Sequence, residues 1–520
     1  MALILALEAF SFQLDGTSDK GRGGVVDPGC HPEVIDLFDN GAPGEGFTRA
    51  LAGCCRPMVP APRRLRQVNF GACQTEVFMC KYNNEIIAAF ILVTLCGASV
   101  PAQAEDVNEE TWNAHFQTTY IWQKKPSFSA AYSGVNSLQP AAEKSYSFSA
   151  TAALGWRPWT GGELYFDPEV VQGVPLSGLT GLGGMTNGEQ QKTSGPNPTL
   201  YRARLFLRQT WELGGEKEVV GSDANQLAGM VAKRRVVVTA GNLAVIDVFD
   251  GSAFAHDARI QFMNWSLLAH GAYDFAADSR GYTWGAAIEY FYDDWALRAG
   301  RFMQPAESNG LALDRDILKH YGDQIELEHA QTVGGQPGKV RILAFRNRAN
   351  MGSFRDALAD GPHNGGIPDV ARVRTERAKV GFGVNAEQNL SANIGVFARG
   401  SWNDGASETY AFSEIDRALS AGTVVKGKLW NRHDDAVGFA WVRNGLSRAH
   451  RDYLAGGGHG AFIGDGQLNY QPESIVEAYY SINLAGNAWV TLDYQRIANP
   501  AYNADRGPVT VGAIRLHAQY

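Results

Sequence analysis

From about residue 112 onward, the chain is a succession of segments in which apolar and polar side chains alternate with a period of two. The clearest runs from Tyr146 to Trp156, where Phe148 and Leu154 share a face with the terminal aromatic residues and Ser147 lies on the other face. Successive side chains of a β-strand point to opposite faces, so the pattern predicts strands with one apolar and one polar face. An alternation this long, with aromatic residues at both ends, is typical of a strand that crosses a membrane.

About sixteen such segments follow one another, an even number, as single-chain bacterial barrels prefer. They are His115–Gln123, Tyr146–Trp156, Glu163–Asp167, Tyr201–Leu213, Arg235–Val245, Tyr282–Tyr292, Trp295–Met303, Asp323–Val333, Lys339–Arg348, Lys379–Glu387, Ala392–Trp402, Gly422–Trp430, Ala436–Arg443, Val476–Leu484, Trp489–Ile497 and the terminal segment from Val509. The sequence therefore predicts an all-β fold, a transmembrane antiparallel up-and-down β-barrel of about 16 strands.

The connections between these segments support the same fold. Short turns follow the even-numbered strands, and most long connections follow the odd-numbered ones. In an up-and-down barrel this parity places every tight turn at one end and the long loops, 167–200, 246–281, 304–322, 349–378 and 444–475, at the other. Closing the sheet also removes the free edges that an open sheet of this size would expose.

The chain ends on an alternating stretch, with Ile514, Leu516 and Tyr520 on one face and Arg515 and His517 on the other. An aromatic residue directly after the alternation fits a closing strand whose last ring lies in an interfacial aromatic belt. We expect this strand to pair with the first one, to contact outer-membrane lipid, and to be the segment that the barrel assembly machinery reads.

Composition narrows the class of protein. Apolar residues make up 45% of the chain and charged residues only 19%, with 59 glycines. These values fit an all-β protein with many turns. The formal net charge of −8 argues against a partner nucleic acid.

The first hundred residues differ from the rest. All six cysteines precede residue 105. Residues 79–104 have a short positive start, the apolar run IIAAFILVTLC and an Ala-Gln-Ala cleavage site, which predicts a secretory signal peptide. We expect residues 1–78 to be a spurious or disordered extension, and residues 105–520 to form the barrel.

No catalytic or cofactor motif stands out, so the inward face of the barrel holds the candidate functional residues. Opposed acidic and basic side chains would give a transverse field across a water-filled lumen, and alternating donors and acceptors suit hydroxyl-rich solutes. The alternative is that these charges only contact water in the lumen and pair with one another. The candidate pore-lining residues are Arg202, Arg204, Arg208, Glu163, Tyr165, Asp167, Glu326, Glu328, Arg399, Asp493 and Arg515, with Tyr165 and Tyr479 as rings for sugar faces.

Several separate motifs in the mature sequence resemble those of the OprB-type carbohydrate-selective porins. They include YSGVNSL at 132–138, GWRPW at 155–159, GNLAV at 241–245, HDAR at 256–259, FMNW at 262–265, AADSRGY at 276–282, GRFM at 300–303, RNRA at 346–349, EIDR at 414–417, HRDYL at 450–454 and NPAYN at 499–503. The resemblance covers nearly all of the mature chain, and residues 1–78 lie outside it.

The resemblance implies a sixteen-stranded channel in the outer membrane of a Gram-negative bacterium. Such a channel admits mono- and small oligosaccharides by diffusion and needs no cofactor, metal or energy source. In this family inward-folded loops and arginine and glutamate side chains narrow the channel. We expect that narrowing from segments 167–200 and 246–281 and from Arg202, Arg204 and Arg208.

Three other functions remain open from the residues alone. A general diffusion porin would have the same barrel without a preference for sugars. An outer-membrane enzyme would need a nucleophile, a base and an orienting group on one patch. A secreted β-sandwich lectin would be soluble without detergent.

Overall fold

The computed structural model describes residues 109–193, 195–412 and 414–520. The predicted extension at 1–78 and the predicted signal peptide at 79–104 lie outside these residues. The described chain forms sixteen strands: β1 Trp112–Lys125, β2 Glu143–Trp159, β3 Gly162–Val174, β4 Gly195–Val220, β5 Gly229–Leu243, β6 Thr283–Tyr292, β7 Trp295–Met303, β8 Tyr321–Val333, β9 Gln336–Gly352, β10 Arg374–Ser391, β11 Ile394–Asn403, β12 Arg417–Lys426, β13 Ala436–Gly445, β14 Glu473–Asn483, β15 Ala488–Ala498 and β16 Val509–Gln519.

Every strand pairs antiparallel with its sequence neighbours, and β1 pairs with β16, so the sheet is a closed barrel. The closing register runs from Gln117 opposite Gln519 to Lys124 opposite Gly512. The backbone N–H groups of Phe116 and Tyr520 each donate to the other residue's carbonyl, at 2.8 Å. The predicted fold class and the closure of the barrel by its terminal strand are confirmed.

The alternation of the sequence sets the two faces of the wall. On β2, Trp156 is exposed on the outer face, whereas Ser147 and Ser149 are buried on the inner face. Large apolar side chains such as Phe439 and Leu492 are exposed on the outer face of other strands. Since lipid would cover this face, the apolar exterior is stable only in a membrane.

Several predicted strand boundaries are wrong: β4, for example, spans Gly195–Val220 rather than Tyr201–Leu213. Two further errors have a clear local cause. β3 continues beyond Asp167 to Val174, because a register shift opposite Pro168 absorbs the proline and the strand resumes after it. β12 spans Arg417–Lys426 rather than Gly422–Trp430, since residues Gly427–Trp430 form a 3₁₀ turn that ends at Asn431, a residue with positive φ.

Three short α-helices lie in the long connections. They are α1 Trp265–Leu268, α2 Phe354–Asp360 and α3 Arg448–Ala455. Each has a side-chain N-cap, from Asn264, Ser353 and Ser447 respectively. Among the described residues, no helix combines the length and the apolar character needed to cross a bilayer.

Candidate functional site

Two long loops fold into the barrel and occupy its interior. The β3–β4 loop follows Val174, and the backbone N–H groups of Gly183 and Gly184 donate to Glu473 on β14 at 3.0 and 2.9 Å. The side chain of Asn187 donates to Ser147 on β2 at 3.0 Å. Because the loop is hydrogen-bonded to both β2 and β14, its central residues are buried inside the lumen.

The β5–β6 loop, residues 244–282, is held by β14 as well, and by β11 and β16. Met263 and Asn264 donate their N–H groups to Glu477 on β14, at 2.5 and 3.0 Å. Arg515 donates to the carbonyl of Gln261 at 2.8 Å, and Arg399 donates to that of Leu267 at 2.8 Å. These contacts fix the loop as a rigid partition across the lumen.

One wall of the lumen carries alternating charges in three ion-paired groups, which together we call the charged wall. It contains five cations and five carboxylates that are joined in ion pairs: Arg157, Lys192, Arg204, Arg208 and Arg259 with Glu163, Asp167, Glu169, Glu189 and Asp247. The strands β2, β3 and β4 supply six of these residues, and the two inward loops supply four.

At the long-loop end of the charged wall, Arg259 lies between two carboxylates. Its guanidinium is 2.6 Å from Glu169 and 2.9 Å from Glu189, and Glu189 also lies 3.3 Å from Lys192. The hydroxyl of Tyr201 donates to Glu169 as well. Charge-assisted bonds of this kind hold side chains in fixed positions.

Arg204 occupies the middle of the charged wall. It donates two hydrogen bonds to Asp247, both at 2.7 Å, and a third to Asp167 at 3.2 Å. Its side chain is 19% exposed and that of Asp247 is 26% exposed. This bidentate pair therefore meets water in the lumen, whereas Asp167 beneath it is buried.

The loop groups of the charged wall stay ionised at neutral pH. Burial raises the pKa of Asp247, but the guanidinium of Arg204 outweighs that effect and holds this pKa below its usual value. Burial lowers the pKa of Lys192, but Glu189, Tyr282 and Glu169 together outweigh it, so that this pKa is raised overall. In the same way, burial raises the pKa of Glu189, and Arg259 and Lys192 together bring it below its usual value. Positive and negative charges therefore remain balanced.

A cavity of about 240 Å³ opens onto the long-loop half of the charged wall. One water molecule needs roughly 10–15 Å³ of cavity volume, so the cavity can hold many water molecules. Arg204, Asp247 and Lys192 are among its lining residues, together with the largely buried Trp265 and Tyr282. The cavity thus offers mainly charged hydrogen-bonding groups.

The short-turn half of the charged wall contacts the tip of the β4–β5 hairpin, residues 221–228, which we call the inserted turn. Asn225 donates to Asp167 at 2.9 Å, and Arg208 donates to the carbonyl of Asn225 at 2.9 Å. The N–H of Leu227 donates to the Tyr165 hydroxyl at 3.1 Å, and Leu227 is buried. The inserted turn therefore narrows the lumen from the short-turn end.

The bend that carries the inserted turn depends on two glycines. Gly214 and Gly215 have φ values of 105° and 89°, in a region that side chains with a Cβ rarely adopt. The register of β4 and β5 shifts on both sides of Gly214. The hairpin can therefore leave the direction of the wall and turn into the barrel mouth.

A second set of buried ion pairs lies on another part of the barrel wall, on β7 to β10. Arg298 lies 2.9 Å from Glu326, and Arg341 lies 2.6 Å from Glu328 and 3.2 Å from Glu387. A cavity of about 310 Å³ at the short-turn end is lined by Glu387, Lys339 and Phe254, among others. The partition formed by the inward loops lies between the two walls.

The structure places most predicted site residues on the inner face, but in different roles. Glu163, Asp167, Arg204 and Arg208 belong to the charged wall. Tyr165 and Tyr479 are buried against Phe206 and Phe262, so neither ring is open to a solute. The remaining predicted inward residues are buried beside the inward loops or within the second ion-pair set: Glu326, Glu328, Arg399, Asp493 and Arg515.

Arg202 is the exception, because it lies on the outer face of the barrel. Its guanidinium is 5.1 Å from the ring centroid of Trp284, which is 37% exposed on the lipid side. The expected placement of Arg202 in the lumen is therefore corrected. The cause is a register shift between β3 and β4, where consecutive Asp167 and Pro168 oppose Arg204 and Arg202, leaving Ala203 without a partner.

Six members of the charged wall escaped the sequence reasoning, each for a physical reason. Arg157 lies just beyond the predicted end of β2 at Trp156. Glu189, Lys192, Asp247 and Arg259 lie in loops, where no periodicity assigns a face. Glu169 follows Pro168, which conceals the continuing strand. The motifs HDAR and GWRPW contain Arg259 and Arg157, and they were the signals that could have drawn attention to these two residues.

Within the described part of the chain, no group of three or more histidine, cysteine, aspartate or glutamate side chains is arranged to hold a metal ion. The charged wall consists instead of carboxylates that are already paired with guanidinium and ammonium groups.

The comparisons with solved structures agree with the barrel. Pseudomonas putida OprB, in its high-pH structure, matches with a TM-score of 0.59 and 16% identity, over 79% of this chain and 94% of that chain. Its low-pH structure matches with a TM-score of 0.43 and 13% identity, over 79% and 93%. OccK5 (OpdH) of Pseudomonas aeruginosa matches with a TM-score of 0.38 and 10% identity, over 78% and 97%. At these identities the first match shows the fold alone.

No curated protein matches the chain. A closed sixteen-stranded barrel with inward loops and a polar lumen defines an outer-membrane porin. The model of the carbohydrate-selective porin, OprB family, matches residues 136–520. The chain belongs to this family and is an outer-membrane sugar porin of a Gram-negative bacterium, as the sequence motifs indicated. The long-loop end is thus extracellular and the short-turn end periplasmic.

Proposed function

We propose that mono- and small oligosaccharides cross this porin along the charged wall, from the extracellular cavity past Arg204 and Asp247 to the periplasmic mouth. The observation that carries the proposal is the balance of charge along that wall. Each cation is within 3.6 Å of a carboxylate, and the pair at its centre is exposed to water.

Balanced ion pairs suit a neutral, hydroxyl-rich solute. A sugar hydroxyl both donates and accepts, so it can bond to a carboxylate and to a neighbouring guanidinium in turn. Such bonds replace those that the solute gives up with water on entering the narrow path. An anion or a cation meets a like charge at every position along the wall, so it gains less binding free energy than a neutral solute does.

The extracellular cavity offers little apolar contact. Trp265 and Tyr282 are among its lining residues, but they are only 8% and 3% exposed, and Arg204 and Lys192 already lie over the Tyr282 ring. In this proposal the sugar is therefore held by hydrogen bonds to the charged wall.

The proposal describes passive diffusion without catalysis. It also includes two partners of the barrel itself. Outer-membrane lipid would cover the apolar exterior, and the barrel assembly machinery would bind the terminal strand that ends at Tyr520.

Swelling of liposomes that contain the protein tests the proposed selectivity. Glucose should enter faster than zwitterionic amino acids of similar size, because the amino acid's ammonium and carboxylate groups must each pass a like charge on the wall. Liposomes without protein correct for leakage. Equal rates for both solutes would favour the alternative, a general diffusion porin without sugar preference.

A further inference from the structure

One arc of the barrel's outer face, from β12 through β16 to β2, carries five cations near the extracellular rim that have no partner. They are Lys124 on β1, Lys144 on β2, Arg417 on β12, Arg443 on β13 and Arg496 on β15, and all are exposed. Within the described residues, none of them makes an ion pair or a side-chain hydrogen bond. They lie on one arc of the barrel, because the strand order from β12 through β16 to β1 and β2 is continuous.

The position of these cations on the outer face follows from their neighbours in each strand. Tyr494, two residues from Arg496, is 48% exposed on the lipid side, and Leu419, two residues from Arg417, is 53% exposed. The residues between them point inward, for example Gln495, which is fully buried in the lumen. The same alternation places Lys124, Lys144 and Arg443 on the outside.

The arc has no acidic side chain on its outer face in the seven described strands. Its aspartates and glutamates all point inward, as Glu473, Glu477 and Asp493 show. The rest of the rim is different, since Arg301 pairs with Asp323 at 2.7 Å and Arg348 pairs with Glu376 at 3.0 Å. Arg346 on β9 makes no ion pair, but it lies directly opposite Asp323. The five cations therefore differ from the other cations at this height because no carboxylate lies beside them on the outer face.

Two pairs of these cations are also close to one another. Lys124 and Lys144 are directly opposite in the β1–β2 register. Arg417 lies opposite Gly445, two residues from Arg443 on the same strand, which makes the two arginines diagonal neighbours. Like charges at such positions repel and destabilise a sheet, so an anion at this surface would offset the repulsion.

The level of the cations relative to the bilayer identifies the anion. Trp122, Tyr146, Trp441 and Tyr494 each lie two residues closer to the barrel centre on the same outer face. Aromatic side chains at this position mark the boundary of the hydrocarbon region. The cations are roughly 7 Å further out, at the level of the lipid headgroups. Guanidinium groups bind phosphate with paired hydrogen bonds, and long cationic side chains reach toward that level.

We propose that this arc, which we call the cationic arc, binds the phosphate groups of the phosphorylated glycolipid in the outer leaflet. The binding site is separate from the sugar pathway, so neither proposal depends on the other. Arg443 and Arg496 would share one phosphate across the intervening β14, and Lys124 and Lys144 would share a second.

Lipid binding to the protein purified from outer membranes tests the proposal. The protein is placed in phosphatidylethanolamine nanodiscs that contain either bisphosphorylated lipid A or the same lipid with its phosphates removed. The thermal unfolding midpoint should be higher with the phosphorylated lipid, and native mass spectrometry should retain at least fivefold more of it. Equal midpoints and equal retention would overturn the proposal whether or not any variant folds.

Substitutions locate the binding. The double variants Lys124→Gln with Lys144→Gln and Arg443→Gln with Arg496→Gln should each lose part of the bound lipid, while their ion conductance stays unchanged. The matched control is Arg301→Gln with Arg348→Gln, which removes paired cations at the same rim and should retain the lipid. Full retention in both arc variants would contradict the assignment. If inorganic phosphate in detergent gave the same stabilisation, the site would bind free anions rather than lipid.

Discussion

Arg202 and Arg204 lie two residues apart on β4, yet they face opposite sides of the barrel wall. The guanidinium of Arg204 donates two 2.7 Å hydrogen bonds to Asp247 inside the lumen, whereas that of Arg202 stacks 5.1 Å from the Trp284 ring outside. The bulge at Ala203 separates them. One strand thus supplies both a candidate pathway residue and its natural control.

Replacing Arg204 with Gln should make the channel more selective for cations. The substitution leaves the charges of Asp167 and Asp247 without their arginine, so the wall gains a net negative charge. We expect the reversal potential in a KCl gradient across a planar bilayer to shift by several millivolts toward the cation equilibrium value. Arg202→Gln should leave it unchanged. A shift in both variants, or in neither, would contradict the two placements.

The opposite faces of Arg202 and Arg204 show which side-chain directions the sequence could predict and which it could not. Alternation predicts faces wherever a strand is regular, as in β2, where Ser147 and Trp156 lie on the expected sides. A single bulge moves every residue beyond it to the opposite face of the sheet, and the sequence around Ala203 gives no sign of a bulge. The number of strands and the closure of the barrel were predictable because errors of this kind do not alter them.

The lumen itself was less predictable. Arg399 and Arg515 were expected to line open water, but they donate to loop carbonyls and are buried. Inward direction is a local property of a strand, whereas exposure depends on which loop fills the lumen. Asp247 and Arg259 come from such a loop, and their partners lie on strands distant in sequence. Only the folded chain brings them together.

Releasing the inserted turn should widen the periplasmic mouth. Replacing a buried leucine with alanine costs roughly 2–5 kcal/mol, so Leu227→Ala should weaken the docking of the turn by more than tenfold. We expect single-channel conductance to rise in this variant. Glu216→Gln, on the exposed part of the same hairpin, is the control and should not alter conductance. Wild-type conductance in Leu227→Ala would place the solute path elsewhere.

The extracellular loops should lose stability as the pH rises. His450 in α3 is buried, and although burial lowers its pKa, Asp416 at 3.0 Å and Glu414 at 3.4 Å raise it to about 9. An unfolded histidine has a pKa of about 6.5, so the protonated form contributes its full stability, on the order of 3 kcal/mol, below that pH. The contribution is lost as the pH rises from about 6.5 through 9.

Urea unfolding in detergent at a series of pH values measures this loss. The midpoint of the wild-type protein should fall between pH 6.5 and 9. The variant His450→Gln should be less stable at pH 6 and show a flatter dependence over the same range. If the unfolding midpoint of His450→Gln fell with pH as steeply as that of the wild type, another group would have to account for the pH dependence.

The most direct test of the balanced charged wall compares neutral and charged sugars as blockers of ion current in a planar bilayer. Glucose, gluconate and glucosamine have similar sizes and differ in net charge. We predict that glucose blocks the wild-type current at a concentration several-fold lower than either charged analogue, and that Arg204→Gln loses this preference while Arg202→Gln keeps it. Stronger block by gluconate or glucosamine in the wild-type channel would contradict a pathway in which the two signs of charge are matched.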